Sequence, residues 1–433
     1  MRKISLSVAF VLFIITGTLA QSSKHPLISN ATAIPETGGF SSERLKRIDK
    51  LLKDNIDNGK MNGATALIVH NNKIVYFKSF GYDDMEAKKP MKNDAIYRIA
   101  SQTKAITSVA VMMLYEEGKF LLDDPVSRYI PEFKNPRVLD KFNKEDTTYT
   151  TVPAKREITI RDLLTHTSGI GYAQIGSAEA NAIYDKAGVV GGIGVENIVL
   201  GDKMKILGGL PLFHQPGEKW TYGLNTDVLG YLVEVTSGMP LDGFFRKRIF
   251  EPLGMKDTYF YLPKEKHNRL VMLYSENRST RKVERMEEKI TIGGHRFFRD
   301  FPNLNGTYFS GGGGLSGTIM DYAIFLQMLL NEGEYNGKRI LSRNSVRMMT
   351  MNQIGDVDFG NNKFGLGFGI TTEKGSSILP TQEGTFEWGG MFATTYWVDP
   401  KEKLVALVYR NVWPTSFGLG NWYKVLVYQA ILN

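Results

Sequence analysis

Ser101-Gln102-Thr103-Lys104 leads directly into residues 105–114, a largely apolar run of helix-forming side chains. A serine and a lysine three positions apart on a helix lie on one face, so the lysine amine can reach the serine hydroxyl. A serine hydroxyl becomes a strong nucleophile when an adjacent base takes its proton, and the start of a helix offers free backbone N–H groups. The stretch therefore predicts a nucleophile, Ser101, with its base, Lys104, on the same helix.

A second Ser-x-x-Lys sequence lies at residues 279–282. Its flanking residues are charged and lack an apolar stripe of helical period, so we interpret this copy as a solvated loop or strand. Ser101 differs because a strand-like segment precedes it and an apolar helix follows it. Context therefore favours Ser101 as the nucleophile.

The composition is that of an ordinary globular protein. The 433 residues are 42% hydrophobic and 23% charged, enough to form one large domain or two joined ones. The formal charge of +8 comes from charges of both signs spread along the chain, which argues against nucleic-acid binding. Cysteine is absent, and the six histidines have no spacing typical of metal ligands. We expect neither a metal nor another cofactor.

The N-terminus has the three parts of a secretory signal peptide. Two basic residues precede an apolar run over residues 4–19, and small residues end it. We expect residues 1–20 to be a signal peptide, residues 21–40 a linker and residues 41–433 the mature domain. The protein is then exported to the periplasm or the extracellular space. An uncleaved membrane anchor is the alternative, since the run approaches the length of a spanning helix.

Apolar periodicity predicts strands towards both ends of the chain and helices between them. The predicted strands are residues 64–70, 73–80, 384–388, 394–398 and 404–410, with a hairpin turn at Asn71-Asn72. The predicted helices are residues 42–56, 160–164, 226–236, 241–249 and 422–432. This order indicates an α/β (α+β) fold. Its antiparallel sheet, built from both chain ends, is flanked by helices and carries an all-helical insertion over about residues 105–315.

Tyr222 is a candidate partner for this nucleophile. It follows the turn residues Pro216-Gly217 and stands just before a predicted helix. An adjacent lysine ammonium stabilises a phenolate, the form in which tyrosine can take a proton. The segment therefore indicates a second proton-transfer group.

The sequence Trp388-Gly389-Gly390-Met391, on a late predicted strand, is a candidate oxyanion-binding segment. Two glycines allow a substrate carbonyl to approach the backbone closely. The next backbone N–H, that of Met391, can then point at a developing oxyanion.

Two further motifs are interpreted as structural. His166 follows a predicted helix, and we expect a helix-end histidine hydrogen-bonded to a loop rather than a catalytic base. Residues 311–314 are four glycines without the ending of a phosphate-binding loop or the spacing of a dinucleotide fingerprint. They are typical of a close backbone approach. The chain also lacks the Gly-x-Ser-x-Gly elbow of the α/β-hydrolases.

Five motifs in order resemble the serine β-lactamase-related superfamily. They are residues 101–104, 164–169, 216–222, 251–255 and 388–390. Members of this superfamily include class C β-lactamases, penicillin-binding D,D-peptidases and the family VIII carboxylesterases, which the chain resembles most. The resemblance covers roughly residues 41–433.

The resemblance implies a β-lactamase/transpeptidase-like fold and an acyl-serine mechanism. In that family the serine of the first motif is acylated, and the matching residue here is Ser101. Lys104 and Tyr222 match the residues that exchange protons with it. The backbone N–H groups of Ser101 and Met391 match the oxyanion hole.

Two departures from the family pattern bear on the substrate. β-Lactamases and D,D-peptidases usually carry Tyr-x-Asn and Lys-Thr-Gly, whose lysine receives a substrate carboxylate. This chain has Tyr222-Gly223-Leu224, with Asn225 one place late, and a Trp-Gly-Gly motif. The carboxylate-binding cation of the motif is missing. We expect the substrate to be bound by Trp388, Gly389, Gly390, Leu224 and Asn225.

These observations predict a secreted serine hydrolase that cleaves carboxylic esters through an acyl-serine intermediate. A class C-like β-lactamase or a D-amino-acid peptidase on the same scaffold is the first alternative. A non-catalytic sensor acylated by β-lactams is the second. We expect a small ester or amide as the partner, no nucleic acid, and no stable membrane span once the signal is removed. The oligomeric state stays open.

Overall fold

The computed structural model describes residues 27–29, 31–195, 198–292 and 295–432. The predicted signal peptide, residues 1–20, and the first residues of the predicted linker lie outside the described residues. No helix in the described part of the chain combines the length and apolarity needed to cross a membrane.

The regular elements follow the chain in this order. The α-helices are α1 (Ser42–Asp57), α2 (Thr103–Glu116), α3 (Ile160–Leu164), α4 (Ala178–Lys186), α5 (Leu200–Gly208), α6 (Asn225–Ser237), α7 (Leu241–Phe245), α8 (Glu251–Leu253), α9 (Ile319–Leu330), α10 (Arg343–Met349), α11 (Glu373–Ser376) and α12 (Leu419–Tyr428). The strands are β1 (Gly63–His70), β2 (Lys73–Asp84), β3 (Lys89–Pro90), β4 (Ile96–Arg98), β5 (Arg137–Phe142), β6 (Tyr149–Pro153), β7 (Tyr274–Glu276), β8 (Val283–Arg285), β9 (Lys289–Ile292), β10 (His295–Phe298), β11 (Ser316–Thr318), β12 (Glu334–Tyr335), β13 (Lys338–Arg339), β14 (Lys363–Phe364), β15 (Gly369–Ile370), β16 (Phe386–Gly390), β17 (Thr394–Asp399) and β18 (Leu404–Tyr409).

The main sheet is antiparallel and is built from both ends of the chain. Its strand order is β14-β15-β16-β17-β18-β1-β2-β3, so the late strand β18 lies beside the early strand β1. Asn71 and Asn72 turn β1 into β2 with φ of 49° and 63°, the left-handed pair of a tight hairpin. The predicted α/β (α+β) fold, with a sheet from both termini flanked by helices, is confirmed.

Helices cover both faces of this sheet, because alternate side chains of a central strand enter two different cores. Ala66 and Ile68 of β1 join the core formed with α1 and α12. Leu67 and Val69 join the larger core formed with α2 and α9. Helix α2 is buried from Thr103 to Leu114, so the lysine in its first turn lies inside the protein.

The prediction that the insertion over residues 105–315 is all-helical is wrong. Among the described residues of this region, β5 pairs with β6, β7 with β8, and β9 with β10, each as a separate two-stranded hairpin. Most of their side chains are exposed or only half-buried, so little apolar alternation marks them in the sequence. The insertion is mostly helical and carries these hairpins on its surface.

Two predicted helices have different bounds in the structure. Helix α7 ends at Phe245, and a π-helical turn, Arg246–Phe250, continues it. The closing helix α12 begins before Trp422 and ends at Tyr428, ahead of the predicted end at residue 432. The described residues of the predicted linker pack against the domain. Thr32 pairs with Ile74, and the buried Phe40 pairs with Ile431.

Candidate active site

Ser101 lies on a single 3-10 turn between β4 and α2. Ala100 has φ of 45°, in the left-handed region that residues with a Cβ rarely adopt. Tyr322 Oη donates a hydrogen bond to the Gln102 carbonyl, and Tyr409 Oη donates one to Gln102 Oε1. These two bonds fix the residue that follows Ser101. Such backbone strain persists only where the surrounding contacts fix it. In this turn Ser101 is half-buried and lines the edge of a cleft.

Lys104 is buried one helical turn after Ser101, and its ammonium has three acceptors. Lys104 Nζ donates to Ser101 Oγ at 3.4 Å, to Tyr172 Oη at 2.9 Å and to the Gly312 carbonyl at 2.6 Å. An ammonium has three N–H donors, so these partners use all of them. The lysine is held on the serine oxygen by fixed groups rather than by water.

Asp227, on α6, is a buried acid whose charge interacts with this ammonium. Burial raises the pKa of the Asp227 carboxyl, while the Ser310 hydroxyl and the charge of Lys104 act in the opposite direction. Ser310 Oγ donates to Asp227 Oδ1 at 2.6 Å. A Cβ on Gly312 would lie 2.4 Å from Asp227 Oδ2 and 3.5 Å from Lys104 Nζ, so only glycine fits between them.

Tyr222 completes the contacts of the serine oxygen. Tyr222 Oη donates to Ser101 Oγ at 2.7 Å, and Lys104 Nζ lies 4.7 Å from the centre of the Tyr222 ring. Tyr172 stands on the other side of the lysine, and burial followed by the neighbouring Tyr222 raises its pKa well above the usual range. Tyr172 therefore keeps its proton, and Tyr222 is the tyrosine in contact with the serine.

His166 lies behind Tyr222 and does not contact Ser101. It follows α3 with φ of 58°, and its ring centre is 5.1 Å from that of Tyr222. Asn225 Nδ2 donates to His166 Nδ1 at 2.9 Å, and the Thr221 N–H donates to the His166 carbonyl at 2.8 Å. Burial, and secondarily the charge of Lys104, holds the pKa of His166 well below its usual range. The histidine is a neutral support for the loop that carries Tyr222.

Met391 follows the last residue of β16 in the turn to β17 and lines the cleft together with Ser101. Among the described residues, no backbone or side-chain acceptor takes a hydrogen bond from the Met391 N–H. A Cβ on Gly390 would lie 2.3 Å from the Ile99 carbonyl, so this glycine lets the end of β16 approach the backbone that leads to Ser101. This approach brings the Met391 backbone to the edge of the site.

The structure does not bring all the predicted substrate-binding residues to the cleft. Trp388 and Gly389 line it, whereas Leu224 and Asn225 are wholly buried, so the prediction that these two bind substrate is wrong. Asn225 begins α6 with its side chain turned inward, where its Oδ1 accepts from Ser168. Gly390, described above, is likewise needed for backbone packing.

Ser101 stands where two cavities of different size meet. One is an open cleft of about 590 Å³, and the other is a smaller and less open cavity of about 50 Å³. Ser101, Ile175 and Met391 line both of them. The aromatic wall of the open cleft is formed by Tyr222, Phe359 and Trp388. An ester bound at Ser101 can therefore place its two halves in separate spaces.

The open cleft also holds an ion pair that the sequence did not reveal. Lys424 of α12 forms a salt bridge with Glu387 of β16, and both side chains line the cleft. A lysine is thus present near the position from which the motif lysine is missing, but Glu387 already neutralises it.

Sequence reasoning missed Tyr172, Asp227, Gly312 and Lys424. The four glycines at residues 311–314 were interpreted as a close backbone approach, and Gly312 does make one while also offering its carbonyl to Lys104. Tyr172, Asp227 and Lys424 are common residue types, and no motif in the sequence marks their positions. Only the three-dimensional arrangement around Lys104 and Trp388 identifies them.

This arrangement is suited to acyl transfer. The serine oxygen contacts the Lys104 ammonium and the Tyr222 hydroxyl, two groups suited to proton transfer, and Met391 lines the same cleft. In the part of the chain that the structure describes, no group of three or more His, Cys, Asp or Glu side chains could hold a metal ion. The chemistry of these residues is nucleophilic attack by Ser101.

Comparison with known proteins gives consistent matches. The Beta-lactamase family model matches residues 48–430. Protein Rv1367c of Mycobacterium tuberculosis is 33% identical over 370 residues, covering 82% of this chain and 87% of its own length. Esterase EstB of Burkholderia gladioli is 30% identical over 373 residues, covering 84% and 90%. The solved structure of EstCE1, a hydrolase with promiscuous acyltransferase activity, superposes with a TM-score of 0.76 at 25% identity and covers 93% of this chain and all of its own.

Proposed function

We propose that this chain, a serine hydrolase of the Beta-lactamase family, cleaves carboxylic esters. We also propose that it acts outside the cytoplasm. An esterase among its relatives, EstB, and the hydrolase EstCE1 support the choice of esters. The observation that carries the proposal is the wall opposite Ser101. Trp388 stands where a carboxylate-binding lysine would be, and Lys424 is already paired with Glu387.

The proposed reaction starts with attack by Ser101 Oγ on the ester carbonyl carbon. Tyr222, as the phenolate that the adjacent Lys104 ammonium stabilises, accepts the serine proton. The oxyanion of the tetrahedral intermediate accepts hydrogen bonds from the N–H groups of Ser101 and Met391. Collapse of this intermediate breaks the bond to the alcohol oxygen, which takes the proton back and leaves. The acyl group is then bonded to Ser101.

The second half of the reaction repeats these steps with water. A water molecule gives a proton to the Tyr222 phenolate as its oxygen attacks the acyl carbon. The bond between the acyl carbon and Ser101 Oγ then breaks, and Ser101 Oγ takes the proton back. The carboxylic acid leaves, and the free enzyme is restored. A hydrolase must complete this half, whereas a sensor would stop at the acyl-serine.

The substrate class is tested by comparing kcat/KM for p-nitrophenyl butyrate and a chromogenic cephalosporin, with Ser101→Ala as the blank. We expect a ratio above roughly 10², because a cephalosporin carboxylate desolvated without a partner costs a few kcal/mol. Trp388→Lys should lower this ratio by supplying the cation. Equal turnover of the two substrates by the wild type would overturn the esterase proposal in favour of a β-lactamase.

The same experiment separates a hydrolase from a sensor. Stopped-flow mixing with p-nitrophenyl butyrate should give a burst followed by steady turnover, since deacylation follows acylation. A stoichiometric burst with no turnover afterwards, together with an acyl adduct that persists in the mass spectrum, would support the sensor instead.

Export is tested by expressing the full chain and a chain lacking residues 1–20 in a Gram-negative host. We expect the full chain in the periplasmic or extracellular fraction with a mature N-terminus at Gln21, and the truncated chain in the cytoplasm. Retention of an intact N-terminus in the membrane fraction would support the uncleaved anchor.

A further inference from the structure

The ion pair of Glu387 and Lys424 is unequally exposed to the open cleft. The Lys424 side chain is 6% exposed and that of Glu387 is 26% exposed. Lys424 Nζ also lies 5.7 Å from the centre of the buried Trp397 ring, on the side away from solvent. A molecule that enters the cleft therefore meets the Glu387 carboxylate rather than the Lys424 ammonium.

Glu387 and Lys424 are the charged residues among the described ones that line this cleft. Three aromatic side chains, those of Tyr222, Phe359 and Trp388, also line this cleft. Aromatic faces attract a cation through the ring quadrupole, and a carboxylate attracts it through its charge. Both features favour a positively charged group and disfavour a carboxylate.

The sizes of the two cavities indicate which half of the ester carries the positively charged group. The smaller cavity of about 50 Å³ has room for a few non-hydrogen atoms, whereas the open cleft of about 590 Å³ has room for a much larger group. A short acyl group fits the former. The larger alcohol half then extends into the open cleft towards Glu387.

We propose that the open cleft is a subsite for an ammonium group on the alcohol half of the ester, with Glu387 as the residue that selects for charge. This proposal rests on the proposed esterase function. Glu387 acts in two ways: it attracts an ammonium directly, and it neutralises Lys424, which would otherwise attract an anion.

The test uses two esters of the same acyl group and nearly the same shape. Acetylcholine carries a quaternary ammonium, and 3,3-dimethylbutyl acetate replaces it with a neutral tert-butyl group. Each kcat/KM is divided by the rate of alkaline hydrolysis, which removes the difference in leaving-group chemistry. We expect the wild type to prefer acetylcholine by at least about tenfold, within the range of a charge pair near a protein surface.

Glu387→Gln should remove this preference, and Glu387→Asp should retain most of it, which excludes a general loss of folding as the cause. The matched control is Glu383→Gln, an exposed acid ahead of β16 and outside the cleft, which should keep the wild-type ratio. A ratio near one in the wild type, or the same ratio in wild type and Glu387→Gln, would overturn the subsite.

A second readout does not depend on ester turnover. Choline should slow the labelling of Ser101 by a fluorophosphonate in the wild type and in Glu383→Gln, and slow it at least about tenfold less well in Glu387→Gln. If p-nitrophenyl esters were not hydrolysed but choline still protected Ser101, the proposed function would fail and the subsite would stand. Hydrolysis without any charge preference or protection would leave the function and remove the subsite.

Discussion

The chain contains the same four-residue pattern twice, in opposite surroundings. At Ser101 the pattern enters a buried helix, and Lys104 Nζ lies 3.4 Å from Ser101 Oγ. At Ser279 it forms the exposed turn between β7 and β8, where the Ser279 N–H donates to Asn277 Oδ1 at 2.9 Å. Serine and lysine at this spacing meet only where a helix aligns them, and their chemistry depends on what surrounds the lysine.

Burial changes what the lysine can do. Lys104 is buried, and Tyr172 and the Gly312 carbonyl hold its ammonium through hydrogen bonds without bulk water. An exposed ammonium such as that of Lys282 is hydrated by solvent and has no fixed position. Matched substitutions in the two copies test this difference.

The largest effect is expected from the two serines. Ser101→Ala should lower kcat/KM for p-nitrophenyl butyrate by at least about 10³, because it removes the attacking oxygen. Ser279→Ala should leave the rate and the melting temperature unchanged. Loss of activity in Ser279→Ala with activity kept in Ser101→Ala would show that the exposed copy is the functional one.

The two lysines should differ by a smaller factor. Lys104→Ala should lower kcat by at least about 10² with a smaller change in KM, the range of a positioned acid-base group. Lys282→Ala should match the wild type. Circular dichroism of both variants checks that the fold is kept, and equal rates in the two would contradict the proton-transfer role of Lys104.

The two tyrosines beside Lys104 in the buried copy should contribute unequally to kcat. Tyr222→Phe should lower kcat by about 10², since it removes the hydroxyl that contacts the serine oxygen. Tyr172→Phe removes a hydrogen bond to the lysine only, so about tenfold is expected from the looser placement of Lys104. A larger loss in Tyr172→Phe would exchange the roles of the two tyrosines.

His166 should affect stability more than catalysis. His166→Ala leaves the Asn225 amide without its acceptor, and we expect the free energy of unfolding to fall by about 1–3 kcal/mol. The kcat of the folded variant should stay within about tenfold of the wild type, below the range of an acid-base group. Urea denaturation and steady-state kinetics measure the two, and a ruined kcat at normal stability would make the histidine catalytic.

The smallest expected effect is the pH dependence that His166 gives to stability. Its pKa in the folded protein is held well below the ordinary value, whereas in the unfolded chain it takes up a proton below about pH 6.5. Stability should therefore fall as the pH is lowered through 6.5 and beyond. Denaturation curves of His166→Ala should show a shallower fall over the same range, and parallel curves would contradict the burial argument.

The sequence predicted the parts of the fold and site that local pattern controls. Tight-turn residues such as Asn71 and Asn72, and alternation in the late strands, placed the sheet correctly. The short hairpins of the insertion were missed because their side chains are mostly exposed. Their pairing comes from the backbone, which leaves little trace in residue type.

The site shows the same division. Ser101 and Lys104 share a helix, so their spacing alone could place them together. Tyr172, Asp227 and Lys424 reach the site through long-range contacts, and no spacing in the sequence encodes them. The resemblance to the Tyr-x-Asn motif predicts Asn225 as a substrate-binding residue, but as the first residue of α6 its side chain is turned into the core.

Ser101, and not Ser279, should be the residue that becomes acylated. The most direct measurement is mass spectrometry of the protein after reaction with a fluorophosphonate, followed by peptide mapping of the wild type and of the Ser101→Ala and Ser279→Ala variants. The account predicts one adduct, on Ser101, present in the wild type and in Ser279→Ala and absent from Ser101→Ala. An adduct on Ser279, or labelling of Ser101→Ala at the wild-type rate, would contradict it.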